Sequence, residues 1–198
     1  KGWQNSEIIM FPVICAVDEF KVRVNQNEYP MDQHGIARVL PFEIKNQTED
    51  SILLVQRYGS STLVDNPKHK KDSTHPELLE WPFSYTIEKK IELREKKIVV
   101  TLTVTNLSFK AMPYMFGWHP AFKVLGSPEG TKITANNKEY SLKEIVKVSQ
   151  EDMAVVLFGG EKVTYKDDNL GKGFELVSSG FGNVMLGSPN EEDRMFFI

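Results

Sequence analysis

Two histidines, His119 and His34, lie in short segments whose composition suits proton-transfer chemistry. His119 stands in YMFGWHPAF, residues 114–122, where Phe116 and Trp118 supply aromatic surface that can stack on the apolar face of a sugar ring. Pro120 pushes His119 toward an extended conformation. An imidazole held there can act as a general acid near neutral pH. A packed core histidine at a strand end fits the same pattern equally well.

The second histidine, His34, lies in YPMDQHGIAR, residues 29–38. The glycine that follows it allows a tight backbone turn from which the imidazole can project. Arg38 comes four residues later, close enough to face the same cleft, and its guanidinium fork suits hydroxyl, carboxylate or phosphate groups. From spacing alone, an ordinary turn histidine beside an exposed arginine is the simpler interpretation.

Other polar clusters carry less specific signals. Asp167 and Asp168 are adjacent in TYKDDNL, and on a strand they would point to opposite faces, so at most one is expected to enter a cleft. An acidic turn explains them more simply. His69 and His75 lack further ligands at the spacing of a metal site. They fall within residues 59–80, a polar stretch that we expect to form a solvated, poorly ordered loop.

The elements that must position these residues are strands. Residues 20–25 and 97–108 alternate apolar and polar side chains, and the second of these runs is rich in β-branched residues. A hairpin is expected where residues 83–93 meet 97–108. There is no long amphipathic helix and no repeat of fixed period. Regularly spaced short strands predict an all-β sandwich or barrel, and we expect residues 1–198 to form one domain.

Composition restricts the function further. A formal charge of −3 provides no basic face, so nucleic acid is not an expected partner. No apolar run approaches the roughly 20 residues that span a bilayer, so no membrane partner is expected. Cys15 is the single cysteine, which excludes an internal disulfide and is typical of a reducing compartment such as the cytoplasm. The chain starts without methionine and ends on the apolar run RMFFI, so we expect it to be part of a longer protein.

Together, the histidine segments resemble the aldose 1-epimerase (galactose mutarotase) family. The branch concerned carries an HGFAR-like motif and includes hexose-6-phosphate epimerase-like members. The segments that carry the resemblance are FPVI (11–14), YPMDQHGIAR (29–38) and VTLTVTNLSFKAMPYMFGWHPAF (100–122). It is weakest across residues 59–80 and 123–162. The resemblance implies a large antiparallel β-supersandwich with a sugar cleft on one face.

The resemblance also implies a chemistry. A carboxylate base removes the proton of the anomeric hydroxyl, and a histidine acid protonates the ring oxygen. The ring opens to the aldehyde, the C1–C2 bond rotates, and closure gives the other anomer. No metal and no organic cofactor are expected, because the reaction only moves protons. The expected partner is a small sugar, and nothing indicates an oligomeric state.

The family's roles can be carried over to matching positions. His119 would be the general acid at the ring oxygen, and His34 would bind and orient that oxygen or a neighbouring hydroxyl. Arg38 would contact sugar hydroxyls or a more distal anionic group. Asp168 matches the family's substrate-binding aspartate better than Asp167 does. Phe116, Trp118 and their neighbours would supply the stacking surface.

The family's catalytic glutamate has no match. In the family it lies late in the chain, in a short apolar strand followed by Glu-Pro, and MFFI resembles the start of that strand before the sequence stops at Ile198. Glu191 and Glu192 stand upstream in an expected turn and are poor substitutes. Two alternatives to a mutarotase therefore stay open. One is a non-catalytic carbohydrate-binding protein, and the other is a hexose-6-phosphate 1-epimerase, to which Arg57 and Lys68 could contribute phosphate contacts.

Overall fold

A computed structural model describes residues 7–123 and, beyond them, residues 131–135, 138–141, 156–159, 162–167, 172–177, 183–187 and 194–197. The chain divides into two compact units. One is Ile9–Gly117, and the other combines Lys1–Ile8 with Trp118–Ile198. The regular structure described is β-strand throughout, apart from one 3-10 turn at Asp18–Phe20. The all-β prediction is confirmed.

The strands of the Ile9–Gly117 unit pair in antiparallel fashion. After β1 (Ile8–Met10), whose first residue belongs to the other unit, they are β2 (Lys21–Val24), β3 (Asn27–Pro30), β4 (Glu43–Gln47), β5 (Ser51–Tyr58), β6 (Val64–Asp65), β7 (Leu78–Leu79), β8 (Tyr85–Arg94) and β9 (Lys97–Asn106). A four-stranded sheet runs in the order β4-β5-β8-β9, and β2-β3 and β6-β7 are two-stranded pairs.

The unit that begins at Trp118 also consists of antiparallel strands. They are β10 (Gly117–His119, whose first residue belongs to the other unit), β11 (Ala121–Lys123), β12 (Thr131–Ala135), β13 (Lys138–Ser141), β14 (Val156–Gly159), β15 (Lys162–Asp167), β16 (Lys172–Val177), β17 (Asn183–Gly187) and β18 (Arg194–Phe197). Apart from β10, they form two four-stranded sheets in the orders β11-β18-β17-β14 and β13-β12-β15-β16.

The predicted hairpin is formed by β8 and β9. Its register runs from Tyr85 opposite Asn106 to Arg94 opposite Lys97, so the turn consists of two residues. The first of them, Glu95, has φ +53°, as the tight turns that match strand twist require. The alternation of apolar and polar residues therefore predicted both the pairing of β8 with β9 and the position of the turn between them.

Aromatic side chains form the core of the Ile9–Gly117 unit. The Phe11 ring meets the edge of Tyr85 at 4.6 Å between centroids, and Tyr85 stacks on Tyr58 at 5.3 Å. Beside them, Met31 and Ile36 are fully buried. Residues 31–37, which contain the first four residues of HGIAR (34–38), are therefore anchored in the core on both sides of His34 instead of lying on the surface as a free loop.

The glycine of this turn is required by its surroundings. Gly35 has φ +73°, and a Cβ added there would lie 2.3 Å from the Phe11 carbonyl oxygen. That carbonyl accepts a hydrogen bond from the Ala37 amide at 3.0 Å, so it cannot withdraw without breaking the bond. The turn and the Phe11 backbone are in contact because position 35 has no side chain.

We expect Gly35→Ala to lower the free energy of unfolding by about 2 to 4 kcal/mol, because it combines an unfavourable φ with a backbone clash. Urea denaturation measures the change. Gly59→Ala is the matched control, since its Cβ would meet only the Thr62 hydroxyl, at 3.2 Å. Equal midpoints for the two variants would contradict the close approach at Phe11.

Candidate active site

The backbone on both sides of His34 is held by the neighbouring loop. The His34 carbonyl accepts from the Phe11 amide at 3.2 Å, and the His34 amide donates to the Cys15 carbonyl at 3.1 Å. His34 has φ +68° and is followed by Gly35 at +73°. Such conformations are uncommon for residues other than glycine and are concentrated at functional sites. The predicted turn is confirmed, and it is a constrained one.

The imidazole of His34 is also held. The Cys15 amide donates to its Nδ1 at 3.2 Å. A backbone amide can only donate, so Nδ1 must accept, and the neutral ring then carries its proton on Nε2. His34 is half-buried. The loop therefore fixes one tautomer, and Nε2 of this ring is a hydrogen-bond donor.

Arg38 is half-buried, which differs from the exposed arginine of the simpler interpretation. Its Nη1 donates to the Gln33 carbonyl at 3.1 Å. Burial lowers the pKa of Arg38, and the charge of Asp32 opposes that shift. Within the described ranges, no carboxylate forms an ion pair with this guanidinium. A guanidinium that is partly desolvated without a salt bridge is suited to bind hydroxyl or anionic groups of a ligand.

The backbone around Arg38 is fixed from inside the core by Gln56, which sequence reasoning missed. Gln56 is 1% exposed, and its Nε2 donates to the carbonyls of Ala37 and Leu40, each at 2.9 Å. Its strand, β5, has a mainly apolar sequence, and a single glutamine in such a strand does not indicate a structural role. Only the fold shows that this amide reaches the turn.

A buried aspartate beside the turn was missed as well. Asp32 is 3% exposed. Its carboxylate accepts hydrogen bonds from the Gln33 amide at 2.6 Å, Asn66 Nδ2 at 2.8 Å, His75 Nδ1 at 2.7 Å and Lys68 Nζ at 3.3 Å. Burial by itself raises the pKa of Asp32, but the hydrogen bonds from Asn66, the Gln33 amide and His75 outweigh it and hold the pKa below its ordinary value. We name these five residues the Asp32 network.

The prediction of a poorly ordered loop at residues 59–80 is wrong for its inner part. Asn66 is 3% exposed; its amide donates to the Glu77 carbonyl at 2.9 Å, and its side chain donates to the Pro76 carbonyl at 2.8 Å. His69 Nδ1 donates to the His75 carbonyl at 2.7 Å. Residues 70–74 are exposed, as expected of a solvated loop. The charged composition of the segment predicted disorder, whereas a few of its polar groups form hydrogen bonds that order it.

Phe116 lies against the loop that holds His34. Its ring centroid is 6.4 Å from that of Phe11, and the neighbouring Met115 amide donates to the Pro12 carbonyl at 2.8 Å. Gly117 is closely approached, because a Cβ there would lie 2.4 Å from the Met10 methyl. The structure thus brings Phe116 and His34, which are far apart in sequence, to the same stretch of backbone, residues 11–15.

The remaining candidates belong to the other unit or lie outside the described residues. Trp118 is half-buried, and its Nε1 donates to Glu7 Oε1 at 2.9 Å. His119 ends β10, and its side chain is outside the description. Asp168 is also outside it, whereas Asp167 is the last residue of β15. The predicted meeting of His34 with His119 and Asp168 thus stays a prediction.

Two further findings concern ligands and membranes. Among the residues that the structure describes, no group of three or more His, Cys, Asp or Glu side chains is arranged to hold a metal ion. In the same part of the chain, no helix has the length and apolar character needed to cross a membrane.

Comparison with known proteins gives a family match and structural matches. Residues 16–174 match the family model described as aldose 1-epimerase. No protein with a curated description matches significantly. A galactose mutarotase-like protein from Lactobacillus casei is 21% identical with a TM-score of 0.75, over 96% of this chain and 70% of the other. A galactose mutarotase related enzyme from Lactobacillus acidophilus is 16% identical with a TM-score of 0.76, over 96% and 68%. The fold is therefore of the galactose mutarotase-like kind.

The pKa of Asp32 makes stability depend on pH. Because that pKa is lower in the folded than in the unfolded chain, the stabilisation is fully present above about pH 3.9 and is lost as the pH falls through the folded-state value. Asp32→Asn should lower the free energy of unfolding by about 2 to 3 kcal/mol at neutral pH, and by much less in acid. Urea midpoints along a pH series measure it, with exposed Asp65→Asn as the control. A deficit that persists unchanged at the acid end would contradict the assignment.

Proposed function

Because the chain belongs to the aldose 1-epimerase family, we propose that it interconverts the α and β anomers of an aldose by acid- and base-assisted ring opening. The observation that carries the proposal is the hydrogen bond from the Cys15 amide to His34 Nδ1. This hydrogen bond leaves the proton of His34 on Nε2. An imidazole that could otherwise donate or accept at that nitrogen is thereby a donor. Such a donor can hold the ring oxygen or an adjacent hydroxyl of a pyranose.

In this proposal Arg38 binds the sugar hydroxyls. Its single hydrogen bond to the Gln33 carbonyl fixes the guanidinium without neutralising it, so the positive charge acts on the ligand. Phe116 offers an aromatic face, and Trp118 is the second aromatic candidate. The apolar face of a sugar ring stacks on such side chains while its hydroxyls are held by polar groups from the side.

The proton transfers are proposed for His119 and for a carboxylate base, which none of the matched residues supplies. His119 in its protonated form donates to the ring oxygen as C1–O5 opens, and the base takes the proton of the anomeric hydroxyl. Reclosure after rotation about C1–C2 reverses both transfers. Asp168 is proposed to bind sugar hydroxyls. Asp32 is not the base, because it is buried and four donors already occupy its two oxygens.

A hexose 6-phosphate is the second candidate substrate, and one observation favours it. Lys68 Nζ donates to the Gln33 side chain at 2.8 Å, and Arg38 Nη1 donates to the Gln33 carbonyl at 3.1 Å. Two cations are therefore bonded to Gln33, the residue before His34, one at its side chain and one at its carbonyl, and a phosphate is proposed to bind beside them. Arg57 is exposed and follows Gln56 on β5, so its side chain points to the opposite face of the sheet and is not proposed as a phosphate contact.

We expect His119→Ala to reduce the protein's acceleration of mutarotation by about 10²- to 10⁴-fold, the range for removal of a general acid. Polarimetry of freshly dissolved α-glucose, α-galactose and their 6-phosphates measures the rate and compares the two substrate classes. His69→Asn is the matched control, since it removes a histidine but keeps a donor for the His75 carbonyl.

Two outcomes would contradict the proposal. A His119→Ala variant with the rate of the unaltered protein would remove His119 from its role. A protein that binds sugars but leaves their mutarotation at the uncatalysed rate would be a carbohydrate-binding protein.

A further inference from the structure

We propose that Asp32 and His75 are positioning residues, which hold His34 and Arg38 in their working orientation from behind the turn. The inference rests on the proposed function of His34 and Arg38. It concerns residues that touch neither substrate nor reacting atoms, because Asp32 is 3% exposed and its carboxylate is held by donors of the protein itself. Its basis is a continuous set of hydrogen bonds from the loop 66–76 to the turn.

The negative charge of Asp32 is the reason that the donors of the Asp32 network gather around it. A carboxylate at 3% exposure is tolerated only with several donors, because desolvation of an unpaired ion is costly. A carboxylate with its pKa below the ordinary value accepts only, so His75 must donate from Nδ1. The groups that face it are the Lys68 ammonium at 3.3 Å, the His75 imidazole at 2.7 Å and, at longer range, the Arg38 guanidinium.

Hydrogen bonds of Asp32 and its network fix the residues before and after His34. The Asp32 carbonyl accepts from the Gly35 amide at 3.0 Å, and its carboxylate accepts from the Gln33 amide at 2.6 Å. Lys68 bridges the Asp32 carboxylate at 3.3 Å and the Gln33 side chain at 2.8 Å. His34 therefore has a fixed residue on either side of it, and its own carbonyl and amide are bonded to the loop at 11–15.

The same network reaches Arg38. The guanidinium is bonded to the Gln33 carbonyl at 3.1 Å, so a movement of Gln33 moves the charge that is to meet the substrate. Displacements of about 1 Å are enough to weaken a binding or catalytic constellation by an order of magnitude or more. The position of Gln33, and with it that of Arg38, depends on the donors that hold Asp32.

His75 is the best residue at which to test this, because its packing and its hydrogen bond can be separated. Its ring lies 4.6 Å from that of Phe20 between centroids. His75→Phe keeps an aromatic ring there but removes the donor to Asp32. His75→Asn places an amide nitrogen near the position of Nδ1, so it restores the donor and loses the ring.

The test measures steady-state mutarotation, thermal unfolding and the ¹⁵N signals of the His34 imidazole and the Arg38 guanidinium. We expect His75→Phe to fold and to lose about tenfold in kcat/KM, mostly through KM, with both ¹⁵N signals shifted. His75→Asn should recover most of that loss although it packs less well. Lys68→Met, at the more exposed rim of the network, should change KM for an unphosphorylated hexose in the same direction and provides the test if His75→Phe does not fold.

A folded His75→Phe protein with unchanged KM and unchanged ¹⁵N signals would overturn the proposal and leave Asp32 a purely structural residue. If the unaltered protein does not accelerate mutarotation, the proposed function fails. The ¹⁵N signals of the variants still decide whether the network positions His34 and Arg38. The two failures are therefore distinguishable.

Discussion

One hydrogen bond, from the Cys15 amide to Nδ1 of His34, determines what this site can do. An imidazole at a solvent-facing turn would ordinarily exchange its proton between two nitrogens. Here a backbone donor occupies one of them, so the other carries the proton and the ring has a single polarity. A sugar oxygen is an acceptor, so a ring of this polarity is complementary to the proposed ligand.

Most of the surrounding structure keeps that bond in place. Gly35 lets the turn press against the Phe11 backbone, and Phe11 itself is fixed by the edge of Tyr85 in the core. On the inner side, Gln56 holds the carbonyls that flank Arg38. These contacts are rigid because they are made by buried groups, so the arrangement of His34 and Arg38 is set largely by the core of the unit.

The sequence was informative where patterning is local. The alternation around the β8–β9 turn and the His-Gly pair predicted a hairpin and a tight turn, and both are present. It was uninformative about Gln56 and Asp32, because their importance comes from partners that only tertiary structure brings close. The polar loop was misjudged for a related reason. The lysines of the loop indicated only that its surface is solvated. The hydrogen bonds of Asn66 and His75 to Asp32 keep the loop ordered.

The most direct test of the central claim is a crystal structure of the protein with a bound hexose. The account predicts a pyranose at the His34 turn, with His34 Nε2 within about 3 Å of a sugar oxygen, the ordinary length of a hydrogen bond. The Cys15 amide should still donate to Nδ1. A hexose bound away from the His34 turn, or one that accepts no hydrogen bond from His34 Nε2, would contradict it.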